Sequence, residues 1–314
     1  MPSSSSSLTS QEIDSQPQCW RRAAETATAG PAGTGELAAL PEPGERVAVI
    51  GCGTSWFIGQ SYAVLRERAG QGETDAFTPT EFPAGRTYDR VVALCRSGTT
   101  TEVLELLNRL RAERSGSRPR VTAVTADPKT PIMDAVDDIL VLDYADEQSV
   151  VQTRYATTQL ALLRAHLGDA DGVARAAASA EAALREELPA AALAAEQFTF
   201  LGAGWTIGLA QEAALKMREA AGAWTEAYPA MEYRHGPISI TGPGRVSWAL
   251  GAVPEGLREQ VAETGGTLIA DSEAGGLEPM ADLVRIQRLA VALAEGKGYN
   301  PDSPRNLTRS VVLK

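Results

Sequence analysis

Three charged side chains near the middle of the sequence could carry acid–base chemistry. Glu212, Lys216 and Glu219 are spaced i, i+4 and i+7 in "QEAALKMREA" (211–220), which places them on one face of a helix. Such a strip is usually a solvated face with salt bridges. Alternatively, a carboxylate with a lysine one turn away is a suitable general base for a proton next to a carbonyl. Spacing alone leaves both interpretations open.

His235 follows this helix in "AMEYRHGPISI" (230–240) and is one of only two histidines in 314 residues. A histidine followed by Gly-Pro does not sit easily within a helix, so we expect it on a turn. A lone histidine on a loop is often merely solvated, although reactive groups also tend to lie on loops. The density of acid–base groups over residues 212–235 makes this region a candidate site.

Two glycine turns carry hydroxyl groups at predicted helix starts. "GCGTSW" (51–56) offers Thr54 and Ser55, and Trp56 stands where the dinucleotide fingerprint has its third glycine, so NAD is not expected. "CRSGTTTE" (95–102) offers hydroxyls and the cation Arg96. Helix N-termini favour anions, so two such turns could converge on one phosphate. The alternative is that these side chains only cap their helices.

The elements that position these groups alternate between strand and helix. "RVAVIG" (46–51), "DRVVAL" (89–94) and "RVTAVT" (120–125) are apolar runs, each followed by a turn and a helical segment. Alternation of this kind predicts parallel sheets with crossover helices on both faces. "FLGAGWTI" (200–207) resembles "VIGCGTSW" (49–56), which suggests an internal duplication. An Ala-rich helical stretch over about 155–190 connects the two halves.

Composition limits the class of protein. The net charge of −11 has no basic stripe, so we expect no nucleic-acid partner. No apolar run reaches membrane length and the N-terminus lacks signal-peptide features, so we expect a cytoplasmic protein without a membrane partner. Three cysteines without CxxC spacing and two histidines predict neither a metal nor another cofactor.

The whole chain resembles the sugar isomerase (SIS) family, most closely the isomerase half of glucosamine-6-phosphate synthase and its stand-alone amino-sugar phosphate relatives. Seven segments carry the resemblance in order and spacing: "EIDSQP" (12–17), "GCGTS" (51–55), "RSGTTTE" (96–102), "TTQLALL" (157–163), "QEAALKMREA" (211–220), "EYRHGP" (232–237) and "DSPRNLTRSVVLK" (302–314). The resemblance implies an α/β fold of two flavodoxin-like SIS subdomains, and the family is commonly dimeric. We expect a disordered tail over 1–10, a first subdomain with a connecting helix over 11–180, and a second subdomain with a C-terminal loop over 181–314.

The resemblance also implies roles for individual residues. Glu219 matches the carboxylate that moves the C1–C2 proton, oriented by Glu212 and Lys216. His235 matches the histidine that opens the sugar ring, which the synthase receives from a neighbouring subunit, so we expect a homodimer with shared active sites. Arg309 matches a C-terminal lysine close to the open-chain sugar. The positions that match substrate-binding loops are Thr54, Ser55, Cys95, Arg96, Ser97, Thr99, Thr100, Val150 and Gln152.

Several positions depart from the family pattern. Arg309 can neutralise an oxyanion but is too basic to exchange protons as lysine does. Cys95 and Arg96 replace a serine and a glutamine of the phosphate loop, and Gln152 replaces a serine. These changes alter the pose that the family's substrate would adopt.

The predicted substrate is a sugar 6-phosphate. The chain begins Met-Pro-Ser and lacks the N-terminal cysteine of a glutaminase, so we expect a reaction that starts from an amino-sugar phosphate or only isomerises. Deamination and aldose–ketose isomerisation both begin with ring opening and removal of the C2 proton. A dehydratase or β-eliminating lyase acting on an N-acetylhexosamine 6-phosphate is the first alternative. A non-catalytic sugar-phosphate sensor is the second.

Overall fold

The computed structural model describes residues 6–30, 35–112, 118–273 and 275–313. The helices and strands are, in chain order, α1 (Leu8–Asp14), α2 (Gln16–Thr28), β1 (Val47–Ile50), α3 (Thr54–Arg68), β2 (Thr74–Phe77), β3 (Arg90–Leu94), α4 (Thr101–Ala112), β4 (Arg120–Thr125), α5 (Ile132–Ala135), β5 (Asp138–Val141), α6 (Arg154–Arg164), α7 (Ala170–Ala183), α8 (Ala190–Leu193), β6 (Gln197–Gly202), α9 (Thr206–Ala221), β7 (Trp224–Pro229), β8 (Arg245–Leu250), α10 (Leu257–Glu263), β9 (Thr267–Ile269) and α11 (Pro279–Gly296). Short helical turns lie at Gly35–Ala39, Pro79–Glu81, Asp143–Ala145, Ala165–Asp169, Glu232–His235 and Pro237–Ile240.

The first sheet has five strands in the order β2-β1-β3-β4-β5, and all of its pairings are parallel. Every residue of β1 and β3 is buried. Continuous apolar strands are typical of parallel sheets because helical crossovers cover both faces. The strand order is that of flavodoxin-like folds, in which the order reverses between the first and third strands.

The second sheet repeats this order with four strands, β7-β6-β8-β9, again entirely parallel. Its central strand β6 is buried throughout. The repetition confirms the predicted α/β fold of two flavodoxin-like subdomains, each a parallel sheet with helices on both faces. Among the described residues, no helix is both long and apolar enough to span a bilayer.

The two compact units do not meet at one boundary in the sequence. The first-sheet unit comprises the described residues of 18–147, 154–174 and 308–313. The second-sheet unit comprises those of 6–17, 148–153 and 175–307. The expected division at residue 180 therefore differs from these units. Periodicity reveals elements but not the long-range contacts that assign a short segment such as 148–153 to one unit.

The N-terminal segment is ordered earlier than expected. Residues 1–5 of the predicted tail lie outside the described residues, but α1 begins at Leu8. Ser7 caps this helix, since its Oγ accepts a hydrogen bond from the Ser10 backbone N–H at 3.2 Å. Glu12 and Ile13 are buried on the same helix. The serine-rich composition of the segment gave no indication of this buried helix.

The Ala-rich stretch is helical, as predicted, but it is broken. α6 ends at Arg164, and a wider helical turn, Ala165–Asp169, precedes α7. Gly168 in this turn has a φ of 90°, which an L-residue with a side chain rarely adopts. The break thus occurs where glycine permits it.

A buried carboxylate lies within the second-sheet unit. The Asp282 side chain on α11 accepts a hydrogen bond from Trp248 Nε1 at 3.1 Å and lies 3.5 Å from Arg285 Nη1. Burial raises the pKa of Asp282 to about 6, although the Trp248 hydrogen bond and the Arg285 charge act in the opposite direction. The folded chain therefore retains a proton that the unfolded chain releases between about pH 4 and pH 6.

We expect Asp282→Asn to change how stability depends on pH. In the wild type, the stabilising contribution of the bound proton is complete below the unfolded pKa and is lost as the pH rises through about 6. Asparagine stays neutral, so the free energy of unfolding of the variant relative to wild type should rise by up to about 3 kcal/mol from pH 4 to pH 6 and then level off. Urea titrations across this range measure it, with Asp14→Asn as an exposed control. A difference in the free energy of unfolding that did not change with pH would contradict the raised pKa of Asp282.

Candidate active site

The first glycine turn joins β1 to α3. A Cβ atom at Gly51 would lie 2.7 Å from the Ser55 Cβ, so only glycine allows the chain to turn this tightly. Thr54 and Ser55 are the first residues of α3, and both are buried. Burial and nearby Glu102 and Cys95 raise the pKa of the Cys52 thiol to about 12, so Cys52 adds no negative charge that would repel an anion.

The second glycine turn joins β3 to α4. β1 and β3 are parallel neighbours in register, with Ile50 opposite Ala93, so the two turns leave the same edge of the sheet side by side. Gly98 has a φ of 61°, and a Cβ atom there would lie 2.0 Å from Thr130 Oγ1. Ser97 Oγ accepts a hydrogen bond from the Thr99 N–H at 3.3 Å. This contact fixes the Ser97 hydroxyl within the turn.

A C-terminal serine lies among the hydroxyls of the second turn. Ser310 Oγ is 3.1 Å from Ser97 Oγ, 3.0 Å from Thr99 Oγ1 and 3.3 Å from Thr100 Oγ1. The Thr100 hydroxyl also accepts a contact from the Cys95 thiol at 3.7 Å. We call Ser97, Thr99 and Thr100 the hydroxyl cradle. Three hydroxyls that converge on one oxygen form an arrangement that could equally hold an oxygen of a phosphate group.

Backbone contacts hold the C-terminal segment beside the cradle. The Thr101 N–H donates to the Val311 carbonyl at 3.1 Å, and the Leu313 N–H donates to Thr101 Oγ1 at 2.9 Å. Thr101 is the first residue of α4, whose free N–H groups would otherwise need other partners. The residues that follow Ser310 are therefore fixed against the start of α4, which places Ser310 beside the cradle.

The two arginines expected near the sugar phosphate are both paired. Arg96 is buried, and its Nη1 lies 3.0 Å from Glu147 Oε2. Its Nη2 donates to the Arg309 carbonyl at 3.3 Å. Arg309 in turn contacts the Glu147 carbonyl and pairs with Asp146 Oδ1 at 2.5 Å. The cradle thus consists of neutral donors, with the nearby cationic charge matched by Asp146 and Glu147.

In the second-sheet unit, α9 carries the predicted acid–base groups. Lys216 is buried and its Nζ lies 2.5 Å from Glu219 Oε2 and 3.4 Å from Glu212 Oε1. The Glu212 side chain is fully buried, whereas that of Glu219 remains 20% exposed. One buried lysine therefore lies between two carboxylates, and only Glu219 can reach a reactant. The interpretation of this strip as a solvated face is wrong, because two of its three members are inside the unit.

A cavity lies beside Glu219 in the same unit. Its volume is about 470 Å³, within the range of small-molecule sites. The walls come from the end of α9 and from residues 298–306. Tyr299 and Arg305 form part of the second wall, with the guanidinium 4.8 Å from the ring centroid. The wall is rich in polar groups that could orient a sugar.

Three other predicted residues lie in the second-sheet unit, namely Val150, Gln152 and His235. His235 ends the turn Glu232–His235 and is exposed; its imidazole makes no hydrogen bond within the described chain. The predicted turn is thus present, with the imidazole open to solvent. Gln152 is partly buried, and its Oε1 is without a hydrogen-bond partner in the described part of the chain.

The structure thus gathers the predicted residues into groups within each unit. Cys95, Ser97, Thr99 and Thr100 meet around Ser310, while Glu212, Lys216 and Glu219 form one charged cluster. Sequence reasoning missed Glu147 and Ser310. Ser310 directly follows Arg309 within a matched motif and could have been found there, whereas the sequence contains no signal for Glu147.

Comparisons with known proteins agree with this fold. No protein-family model matches the chain. The glutamine–fructose-6-phosphate aminotransferase of Thermus thermophilus is 31% identical over an alignment length of 341 residues. The alignment covers 90% of this chain and 55% of that protein. The corresponding aminotransferase of Sulfurisphaera tokodaii is 28% identical over 300 residues, covering 86% of this chain and 50% of that protein. The chain spans about half the length of these curated relatives.

Solved structures match over the whole length of the fold. A glucosamine-6-phosphate deaminase from Thermotoga maritima has a TM-score of 0.80 at 22% identity, covering 98% of this chain and all of that one. The C-terminal domain of glucosamine-fructose-6-phosphate aminotransferase from Francisella tularensis has a TM-score of 0.82 at 21% identity, covering 97% of this chain and all of that one. The resemblance seen in the sequence is therefore confirmed: the chain is similar to these aminotransferases over about half of their length, and it has the two-subdomain SIS fold.

Proposed function

We propose that the chain is an amino-sugar 6-phosphate enzyme, a hexosamine 6-phosphate deaminase and aldose–ketose isomerase. The observation that supports this most is the Lys216–Glu219 pair beside the cavity. A carboxylate that is fixed by a buried ammonium and still borders a cavity is suited to move a proton. The relation to aminotransferases that act on fructose 6-phosphate, and the fold shared with a deaminase, indicate which sugars to test.

In the proposed reaction, His235 assists ring opening and leaves an aldehyde at C1. Glu219 then removes the C2 proton, which is acidic because C1 is a carbonyl, and the electron pair forms a C1–C2 double bond. Return of the proton at C1 gives an imine at C2. Water adds to this imine and ammonia leaves, so glucosamine 6-phosphate and water give fructose 6-phosphate and ammonia. When C2 carries a hydroxyl instead, the same proton transfer only interconverts aldose and ketose.

The roles of the remaining residues follow from their chemistry. The hydroxyl cradle would hold phosphate oxygens, together with Thr54 and Ser55. Arg309 would stabilise negative charge on the intermediate, which requires its guanidinium to turn from Asp146. Val150 and Gln152 would contact the sugar hydroxyls, and Gln152 Oε1 can accept a hydrogen bond.

Glu219→Gln tests the base. We expect turnover of glucosamine 6-phosphate and exchange of its C2 hydrogen in deuterated water to fall by about 10²–10⁴-fold, while the Kd for the sugar phosphate changes little. NMR in deuterated water follows the reaction, with N-acetylglucosamine 6-phosphate and fructose 6-phosphate as further substrates. Glu226→Gln is the control on the neighbouring strand β7. Unchanged turnover in Glu219→Gln would exclude it as the base.

The products of the wild-type protein separate the proposed function from its alternatives. Ammonia indicates deamination and a ketose indicates isomerisation. An unsaturated sugar from the N-acetyl substrate would show the dehydratase or lyase reaction instead. If none of the three sugars gave a product or exchanged at C2, a sugar-phosphate sensor would be supported.

A mixing experiment tests the shared site. Glu219→Gln and His235→Asn should each be nearly inactive alone. If His235 acts on the sugar of a neighbouring subunit in a homodimer, each mixed dimer has one intact site. About half of the dimers are mixed after subunits exchange in an equimolar mixture, so about a quarter of wild-type activity should return. Activity is measured before and after the exchange. Absence of recovery in verified mixed dimers, or an active wild-type monomer, would contradict the shared site.

Ser310→Ala tests the hydroxyl cradle with inorganic phosphate as the probe. The Ser310 hydroxyl occupies the point on which the three cradle hydroxyls converge, so its removal frees this position. We expect phosphate to bind about three- to tenfold more tightly, the equivalent of one hydrogen bond, as measured by calorimetry. Thr100→Ala should weaken binding, and Thr28→Ala removes an exposed hydroxyl of the same unit as a control. Weaker binding to Ser310→Ala would instead make Ser310 a phosphate ligand.

A further inference from the structure

The motif "EIDSQP" (12–17) has no part in the chemistry proposed above, yet its glutamate is buried. Glu12 lies on α1 and is 4% exposed. Its Oε1 accepts hydrogen bonds from the backbone N–H groups of Gln148 at 2.6 Å and Ser149 at 3.2 Å. Its Oε2 accepts from the Ser149 hydroxyl. One carboxylate thus fixes the start of the segment 148–153, which belongs to the same unit.

The rest of this segment is held from a second side. The Val150 N–H donates to the Asp302 carbonyl at 2.9 Å. Ser149 Oγ also lies 3.0 Å from the Val151 carbonyl, so the chain curls around the serine. Gln152 follows directly, at the position where the proposed function needs a contact with the sugar. Irregular backbone of this kind has no ladder of its own, so side chains from elsewhere must define its shape.

Asp302 links the start of α1 to the segment 148–153. Its Oδ1 accepts from the Thr9 N–H at 2.8 Å and from Thr9 Oγ1 at 2.7 Å, and its Oδ2 accepts from the Leu8 N–H at 3.0 Å. A carboxylate at the start of a helix satisfies free N–H groups there. Asp302 therefore fixes α1, which carries Glu12, while its own carbonyl holds Val150. The residues that follow it, Ser303 to Asn306, line the cavity beside Glu219.

We propose that Glu12 and Asp302 are positioning residues that hold the segment 148–153 in its substrate-binding shape. The proposal rests on the proposed function, because it takes Val150 and Gln152 as contacts of the sugar. Hydrogen bonds to an ionised acceptor are about twice as strong as neutral ones, and Glu12 and Asp302 each accept three. Gln152 Oε1, which lacks a partner among the described residues, is then held ready for a hydroxyl of the sugar.

Glu12→Gln tests the proposal with little change in shape. The amide nitrogen is a donor, so it cannot accept the hydrogen bonds that one carboxylate oxygen now receives. We expect KM for the sugar phosphate to rise about tenfold while kcat changes less than about twofold, because contacts with the non-reacting part of the sugar contribute uniform binding. Asp14→Asn makes the equivalent change at an exposed position of the same helix and should leave both constants unchanged.

Amide hydrogen exchange supplies a second measurement that does not require activity. In Glu12→Gln, the amides of Gln148 and Ser149 should exchange at least about tenfold faster, with β6 and β8 unaffected. A role limited to stability would lower the melting temperature and accelerate exchange throughout the unit, with KM unchanged. That result would overturn the proposal.

A milder variant keeps the test decisive if Glu12→Gln does not fold. Ser149→Ala keeps Glu12 and removes the hydroxyl contacts with Glu12 and with the Val151 carbonyl, and we expect a KM increase of about threefold. An unchanged KM and unchanged exchange at Gln148 in folded Ser149→Ala would contradict the proposal. If the wild type is inactive on every sugar phosphate tested, the proposed function fails, whereas the exchange experiment still decides whether Glu12 orders the segment.

Discussion

Parallel pairing of the strands is the constraint on which the rest of this structure depends. A parallel neighbour can be reached only through a crossover connection, so each central strand ends in a turn that leads into a helix, on the same edge of the sheet. Between β1 and β3 the strand order reverses, and the turns at Gly51 and Gly98 come to lie side by side. The hydroxyl groups of both turns therefore lie together at this edge, at the starts of two helices, where free backbone N–H groups are also found.

The buried charges are the second organising feature. Lys216 lies between Glu212 and Glu219, and Arg96 pairs with Glu147. A single unpaired charge inside a protein costs several kcal/mol, so each of these side chains restricts where its partner can be. The proposed reaction would benefit from this restriction, because it requires a base in a fixed position. Glu219 is held by its partner and still retains an exposed edge.

The chain termini contribute to the local structure of each unit. Near the start of the chain, Glu12 binds the segment 148–153 of the second-sheet unit and Thr9 binds Asp302. Ser310 near the end of the chain occupies the hydroxyl cradle of the first-sheet unit. These contacts span more than a hundred residues of sequence. They give a structural role to motifs at both ends of the chain that carry the resemblance, although neither end carries the proposed base.

Much of the fold was predictable because it depends on local regularities. Apolar runs ending in glycine turns indicated the strands and their parallel orientation, and the spacing of Glu212, Lys216 and Glu219 correctly placed them on one face. Their burial was not predictable, since a helix face does not reveal what packs against it. The contacts of Ser310 and Glu147 and the partners of Glu12 were likewise decided by tertiary structure alone. Hydrogen bonds between distant residues depend on how the chain returns to itself, and periodicity contains no information about that return.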